Sequence, residues 1–488
     1  VTVLHNIPTS ISIALVSAIG IIASLLLAIL PLHIVIAAMA IALTIQLAIR
    51  SPHVILTFLL VLSPLRTLIA TESNLALPLD IGQILFVVYL GIWVIQHIYK
   101  RAKIQTVSFS ILLQLLIGIV IIFGFNIWSS TSVSAWLTEW LKWCIITLFV
   151  WQIELQETKT WKWLIFAFLT SAVGNALIGI YIFFGGSGAD HLVILGQFFR
   201  AFGTFGQPNP FGGFMGIALP VSIMCMYSQL VHIMGSIAKR EKPANSSIIY
   251  LLVTSIATGI LLAGLIASWS RGAWLGFGIS SLVIAFAIPR KLSTSIVVAS
   301  STVFLIFALW LGGLIPQSII NRITTAATDF ITIDEIRGVD ITTVNYAVVE
   351  RIAHWQAAIN MAEAHPIIGV GLGNYEVVYE QYRLLNWTEP LGHAHNYYLN
   401  ILAETGMIGF LAYSIFWIVV LWVTWRLRQH PDLFARSVGI GLLGSWTYIA
   451  VHSLFDNLYV NNLFLHIGLL LGILAVLNRQ VWHTVTLE

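Results

Sequence analysis

Two isolated arginines and a pair of histidines are the residues in this chain best suited to chemistry. Arg200 sits in GQFFRAFGTFGQPNPFGGFM, an aromatic stretch rich in Gly, Pro and Asn. Arg271 sits in ASWSRGAWLGFG, between two apolar runs with almost no loop. That spacing places Arg271 near the N-terminus of a helix, where free N–H groups and the helix dipole already favour anions. A guanidinium added there makes an anion site. The alternative is snorkelling, with each head simply resting in a membrane interface. His393 and His395 stand in HAHNYYLN, followed directly by ILAETG. An imidazole titrates near neutrality and suits proton transfer. The same pair could instead cap a helix, or ligate a metal with His354, His365 or Glu404 as further donors. No spacing such as H-E-x-x-H supports a zinc site.

The elements that position these residues are set by composition. Of 488 residues, 58% are hydrophobic and only 9% are charged, with a mean hydropathy of +0.92. Soluble domains carry about 25% charged residues. A soluble enzyme, a disordered chain and a nucleic-acid binder are therefore excluded, and lipid is the solvent for most of the chain. A bilayer core needs about 20 apolar residues per helix. By that measure the candidate spans are 9–29, 32–49, 53–70, 79–98, 109–127, 136–154, 162–184, 208–230, 248–268, 272–289, 294–315, 403–427, 434–454 and 461–478. The fold class is all-α, a polytopic transmembrane bundle of about 12–14 spans. Glu139 and Lys142 fall inside the sixth span, so that helix is expected to face protein rather than lipid. Cys144 and Cys225 lie in apolar runs and suggest neither a disulfide nor a thiolate site. No cleavable signal is expected, because the first apolar run has no basic flank and leads into a second at Pro31.

Basic residues give the orientation. Arg50, Lys100, Arg101, Lys103, Lys159, Lys162, Lys239, Arg240, Lys242, Arg290, Lys291, Arg426, Arg428, Arg436 and Arg479 all fall in alternate connections. The positive-inside rule makes those connections cytoplasmic, with both termini inside. Only Arg66, Arg200 and Arg271 occupy the opposite short connections. The expected organisation is an N-terminal bundle over 1–315, an extracytoplasmic loop domain over 316–402 and C-terminal membrane helices over 403–488. The loop is too long and too mixed in charge to be a mere connector. Within it, NYAVVERIAHWQAAINMAEA (345–364) places Val348, Ile352, Trp355, Ile359 and Ala362 at helical spacing, predicting an amphipathic helix that ends at His365-Pro366.

Several motifs together carry a family resemblance. Arg351-x-x-x-Trp355, HPIIGVGLGNY at 365–375 and HAHNYYLNILAETGMIGF at 393–410 resemble the O-antigen ligase/polymerase superfamily, whose signature is an outer loop ending in H-N-x-x-L and E-x-G-x-x-G. The S-R-G of 270–272, the R-x-x-G-T-F-G-x-P-N of 200–209 and HSLFDN at 452–457 match further features, and the likeness runs from about 195 to 475. It implies a cytoplasmic (inner) membrane enzyme that moves a glycan from undecaprenyl diphosphate to an acceptor hydroxyl on the outer face. In ligases the acceptor is a lipid A core sugar. In polymerases it is the next lipid-linked repeat unit.

The residues themselves agree with that implication. A diphosphate leaving group needs cations rather than a protonating acid, and guanidinium forks hold phosphate while staying charged. No D-x-D pair occurs to hold a divalent ion, so a metal-independent site without cofactor is expected. Arg200 and Arg271 are assigned to the diphosphate, and His395 to the general base, with His393 as the alternative base. In-line attack would invert the anomeric centre. Asn396 could orient the histidine or bind sugar. Glu404 could pair with an arginine or hold the histidine tautomer. Asp456 is read as structural, with Arg271 as its candidate partner, and a catalytic role as the alternative. Arg351 and Arg383 could touch glycan or phosphate, or be solvated loop charges. The Gly369–Gly373 run is read as a tight turn rather than a phosphate cradle. The expected partners are the lipid-linked donor, a glycan, lipid or protein acceptor and the bilayer, with no nucleic acid. The competing reading is a flippase for a lipid-linked oligosaccharide.

Overall fold

The computed structural model describes residues 52–67, 81–99, 109–155, 160–186, 190–314, 340–342 and 345–485, together with positions 317, 320, 321 and 324. The expected spans 9–29 and 32–49 lie outside these described residues. Two compact units divide the chain, Val1–Leu59 with Ile84–Ile104 and Leu60–Gln83 with Gln105–Glu488. Every candidate site residue belongs to the second unit.

Among the described residues the regular elements are helices, apart from one hairpin of two two-residue strands. The helices are α1 (Pro52–Leu62), α2 (Ile81–Tyr99), α3 (Ile111–Phe125), α4 (Val133–Glu154), α5 (Thr160–Tyr181), α6 (Pro208–Ala238), α7 (Asn245–Ala267), α8 (Arg271–Ala287), α9 (Leu292–Leu311), α10 (Tyr346–Ala364), α11 (Tyr375–Tyr382), α12 (Tyr397–Arg426), α13 (Leu433–His452) and α14 (Leu463–Val485). Eight stretches among the described residues are long and apolar enough to cross a bilayer, and three more apolar helices are shorter. The chain is thus an all-α, multi-pass membrane protein.

Local chemistry sets the helix starts. Ser110, Ser132 and Asp432 each accept a backbone N–H of the first turn of α3, α4 and α13. Pro208 opens α6, where a missing N–H costs nothing. Packing between α6 and α13 depends on small residues: a Cβ placed on Gly441 would lie 2.9 Å from the Cα of Val221, and such contacts let backbones approach closely where lipid offers no hydrophobic drive.

Two elements differ from expectation. The helix that enters the membrane after the outer loop starts at Tyr397, earlier than the expected 403, and is broken inside by Gly406 (φ 61°, ψ −167°). The outer-loop helix α10 forms where the spacing predicts it, but its buried face is Val348, Val349, Ala353, His354, Ala357, Ala358 and Met361. Of the expected stripe only Val348 is buried, and Ile352, Trp355, Ile359 and Ala362 are partly covered. The alanines win because their size allows close contact with α11 and the start of α12, whose Val378, Tyr379 and Ala403 share one core with Ala357, Ala358 and Met361.

Candidate active site

The break in α12 anchors the outer loop. Interrupting the helix at Gly406 frees carbonyls of the preceding turn, and the loop uses them: Val370 N donates to Ala403 O (3.0 Å) and Gly371 N to Glu404 O (2.9 Å). In return, Met407 N donates to Pro366 O (2.8 Å). The backbones meet so closely that a Cβ on Gly369 would stand 2.3 Å from the carbonyl carbon of Glu404, and one on Gly406 would stand 2.4 Å from that of Ile367. Both glycines also have positive φ, which only glycine adopts without cost. This explains the G-V-G-L-G run as a docking turn. Asn126 adds to it, donating to Ile368 O (2.5 Å) and accepting from Leu372 N.

The chain then turns into α12 through the histidines. Asn396 is the N-cap, its Oδ1 accepting from Tyr398 N (3.0 Å) and Leu399 N (3.1 Å). His395, one residue earlier, is held at φ 51°. A non-glycine residue in that region is strained, and such strain clusters at functional sites. The side chains of His393 and His395 are 18% and 19% exposed and converge on one carboxylate oxygen. Oδ1 of Asp456 lies 3.6 Å from His393 Nε2 and 3.7 Å from His395 Nδ1. The two rings are 4.4 Å apart. A carboxylate facing Nδ1 of His395 favours the tautomer with the proton there, leaving Nε2 as the basic nitrogen.

A second layer supports these rings. His354 of α10 is buried, meets His395 edge to face at 5.8 Å and stacks on Tyr379 at 5.0 Å. Its Nδ1 shares a hydrogen bond with Tyr375 Oη (3.0 Å). Burial, helped by the nearby His395 and His393, pushes the His354 pKa down to about 4. Burial likewise takes His393 down to about 4 against the pull of Asp456, with His395, Arg351 and Lys142 adding to the drop. Burial alone would raise the Asp456 carboxyl, but the side chain of His395 and the imidazoles of His393, His395 and His452, charged at the low pH where the carboxyl would take up its proton, outweigh it and hold the group well below the usual carboxylate range. The acid is therefore ionised and His393 neutral at pH 7.

The arginines sit at and beside the start of α8. The hairpin β1 (Val193–Ile194) and β2 (Phe198–Phe199) delivers Arg200, whose Nε donates to Ser268 O (3.2 Å) and whose Nη2 donates to Asn209 Oδ1 (3.3 Å). Ser268 belongs to the turn that ends at Arg271, the first residue of α8. Gly272 packs on Phe455 and His452, and Tyr397 N donates to Ser453 O (2.8 Å). The turn 452–456 is thus the common wall of the arginine segments and the histidine segment. Arg351, on α10, acts electrostatically on both His393 and His452. Its Nη1 donates to Ala347 O (2.9 Å), while its buried Nε has no hydrogen-bond partner among the described residues.

The set His393, His395 and Asp456 has spacing that a divalent ion could use, with ligand atoms within 4.8 Å of one another. The ring chemistry argues otherwise. Nδ1 of His393 accepts a hydrogen bond from the backbone N–H of His395 (3.0 Å), so the neutral ring carries its proton on Nε2, the atom facing Asp456. A ligating histidine instead donates through its second nitrogen.

Residues 256–414 match the family model described as O-antigen ligase. That stretch, about a third of the chain, is similar to the O-antigen ligase family. No curated protein matches the chain. The stretch matched to the O-antigen ligase model holds Arg271, Arg351, His393, His395, Asn396 and Glu404, whereas Arg200 and Asp456 lie outside it.

The remaining candidates separate by their contacts. Glu404 is buried and its Oε1 accepts from Tyr375 N (3.2 Å), which fixes α11. Arg383 is held by its own turn, donating to Leu385 O (2.8 Å) and Glu380 Oε1 (3.4 Å). Asp456, read from sequence as structural, lies between the histidines. Sequence reasoning missed His354 and Tyr375 as support for His395. His354 lies off the apolar stripe expected for that helix and was weighed only as a metal donor. Lys142, paired with Glu139 in α4, is a further charge near His393.

Proposed function

We propose that the chain transfers a glycan from undecaprenyl diphosphate to an acceptor hydroxyl at the outer face of the cytoplasmic membrane, without a metal. Residues 316–402 act as the extracytoplasmic domain between the membrane parts 1–315 and 403–488, and both termini are cytoplasmic. His395 Nε2 takes the proton of the acceptor hydroxyl as its oxygen attacks the anomeric carbon. The bond from that carbon to the diphosphate oxygen breaks, the configuration inverts, and the diphosphate leaves with its charge taken up by Arg200, Arg271 and Arg351. Asp456 holds the His395 tautomer and stabilises the imidazolium that forms. His393, its Nδ1 engaged by backbone, is the poorer base.

The observation that carries this reading is His395 in left-handed backbone with Nδ1 turned to an ionised, buried Asp456. The test is product analysis with a defined lipid-linked glycan, with and without a separate acceptor. A new glycosidic bond that disappears in His395→Ala and Arg271→Ala supports transfer. Headgroup translocation without a new bond would mean a flippase. Product formed on a second donor molecule alone would mean a polymerase. Activity abolished by chelation and restored by a divalent ion would remove the metal-free mechanism.

A further inference from the structure

The HSLFDN run holds more than Asp456. Its first residue, His452, ends α13 and forms a buried polar pair with Tyr448, one turn earlier. We infer that Tyr448 and His452 are positioning residues, which hold the arginine segments and the Asp456–His395 segment in register for transfer. The inference rests on the transfer reading above.

Proton count fixes the direction of the pair. Tyr448 Oη donates its single proton to Gly212 O (2.8 Å). The contact between Oη and His452 Nδ1 (2.7 Å) therefore has the ring as donor. Two bonds thus run from His452 through Tyr448 to the beginning of α6. Gly212 follows Asn209 closely, and Asn209 Oδ1 receives Arg200 Nη2 (3.3 Å). A Cβ on Gly212 would meet Ser268 Oγ at 2.9 Å, and Ser268 O receives Arg200 Nε (3.2 Å). Both partners of Arg200 are therefore seated around the carbonyl that anchors Tyr448.

The same pair reaches the other groups of the site. A Cβ on Gly272, next to Arg271, would lie 3.7 Å from Cδ2 of the His452 ring. Asp456 N donates to His452 O (3.1 Å), and Ser453 O receives Tyr397 N (2.8 Å), close behind His395. Glycines clamp the tyrosine. A Cβ on Gly216 of α6 would stand 2.0 Å from its ring, and one on Gly276 of α8 would stand 3.1 Å from it.

Stability alone does not call for polar groups here. Replacing both partners of a buried hydrogen bond by apolar groups of the same shape is close to neutral. Apolar packing lacks direction, whereas a hydrogen bond fixes an angle as well as a distance, and a satisfied buried network specifies one arrangement. Direction matters between a donor site and a base, because a misplacement of about 1 Å costs about 10²-fold in rate.

The test is steady-state transfer by the full chain in nanodiscs, with hydrogen exchange on the same samples. Tyr448→Phe with His452→Leu removes both polar partners. Its kcat should fall about 100-fold, with donor KM and melting unchanged. His452→Asn keeps an N–H where Nδ1 stands and should retain most of the turnover. His452→Gln carries its amide further out and should not. In the double variant the amides of Trp274 and Tyr397, which bond to Ser270 O and Ser453 O, should exchange faster together. Unchanged kcat in the double variant, or a rise in KM alone, overturns the proposal. If the double variant melts early, the single variants decide, and equal turnover in Asn and Gln overturns it. A wild type that forms no glycosidic bond would sink the transfer reading by itself. Exchange still reads the register in that case, and amides that respond separately, or not at all, overturn the positioning role.

Discussion

The two ends of α12 handle charge in opposite ways. The helix has 30 residues but is broken at Gly406, and its stretch from Met407 to Arg426 spans about 30 Å at the usual rise, the thickness of a bilayer core. At the Tyr397 end, Asp456 is buried and ionised, two imidazoles stand just beyond hydrogen-bond distance, and the backbone at His395 is strained. At the Arg426 end, Arg428 and Arg436 are joined to carbonyls by direct bonds, and the backbone is regular to the last turn. A charge held close to partners it does not quite reach is available for a reaction. A charge fully engaged by carbonyls holds structure.

Substitutions at both ends test that contrast. The largest expected effect is His395→Gln, which should lower transfer by about 10²–10⁴-fold without loss of folded protein in membranes. Arg436→Gln should leave turnover unchanged, and equal losses at both ends would erase the distinction. Asp456→Asn comes next. It removes the charge that fixes the tautomer and stabilises the imidazolium, so kcat should fall about 100-fold with little change in KM. A matching rise in KM instead would place Asp456 in substrate binding.

Acidification probes the same end. His354 and His393 have pKa values lowered to about 4 in the folded chain, against about 6.5 unfolded. Below pH 6.5 the unfolded state binds the extra protons, so stability falls as pH drops from about 6.5 towards 4, by on the order of 3 kcal/mol per group at most. Melting curves in detergent should show this slope, and His354→Gln should flatten it. A slope unchanged by that variant would mean that His354 is already charged in the fold. Gly406→Ala should cost about 2 kcal/mol, the usual cost of forcing a side chain into a disfavoured backbone region, and should loosen the outer loop to protease. The smallest effect is expected at the other end, where Arg436→Gln removes one helix-end contact worth about 1 kcal/mol.

Much of this was legible in the sequence. Apolar runs of membrane length mark helices by composition alone, and the helix over 345–364 follows from its periodicity. The arginines stood out because charge is rare in so apolar a chain, and the histidines because they stand as a pair in HAHN at the end of the long loop. The geometry between them was not legible. Asp456 and His395 are brought together by the turn that receives Tyr397, a backbone bond to Ser453 that no side-chain pattern announces. The face of α10 was misjudged because large apolar residues were expected inward, whereas close helix contact selected alanine and a histidine with a tyrosine partner. The break in α12 was hidden because Gly406 sits in an otherwise continuous apolar run.

The bonds that dock 366–371 onto the broken turn of α12 run from main chain to main chain. Such stitching is blind to side-chain identity wherever glycine is not required. Exposed positions such as Leu385, 90% open to solvent, can therefore change while the turn that carries His395 keeps its place. The scaffold separates the variable outer surface from the histidine turn beneath it.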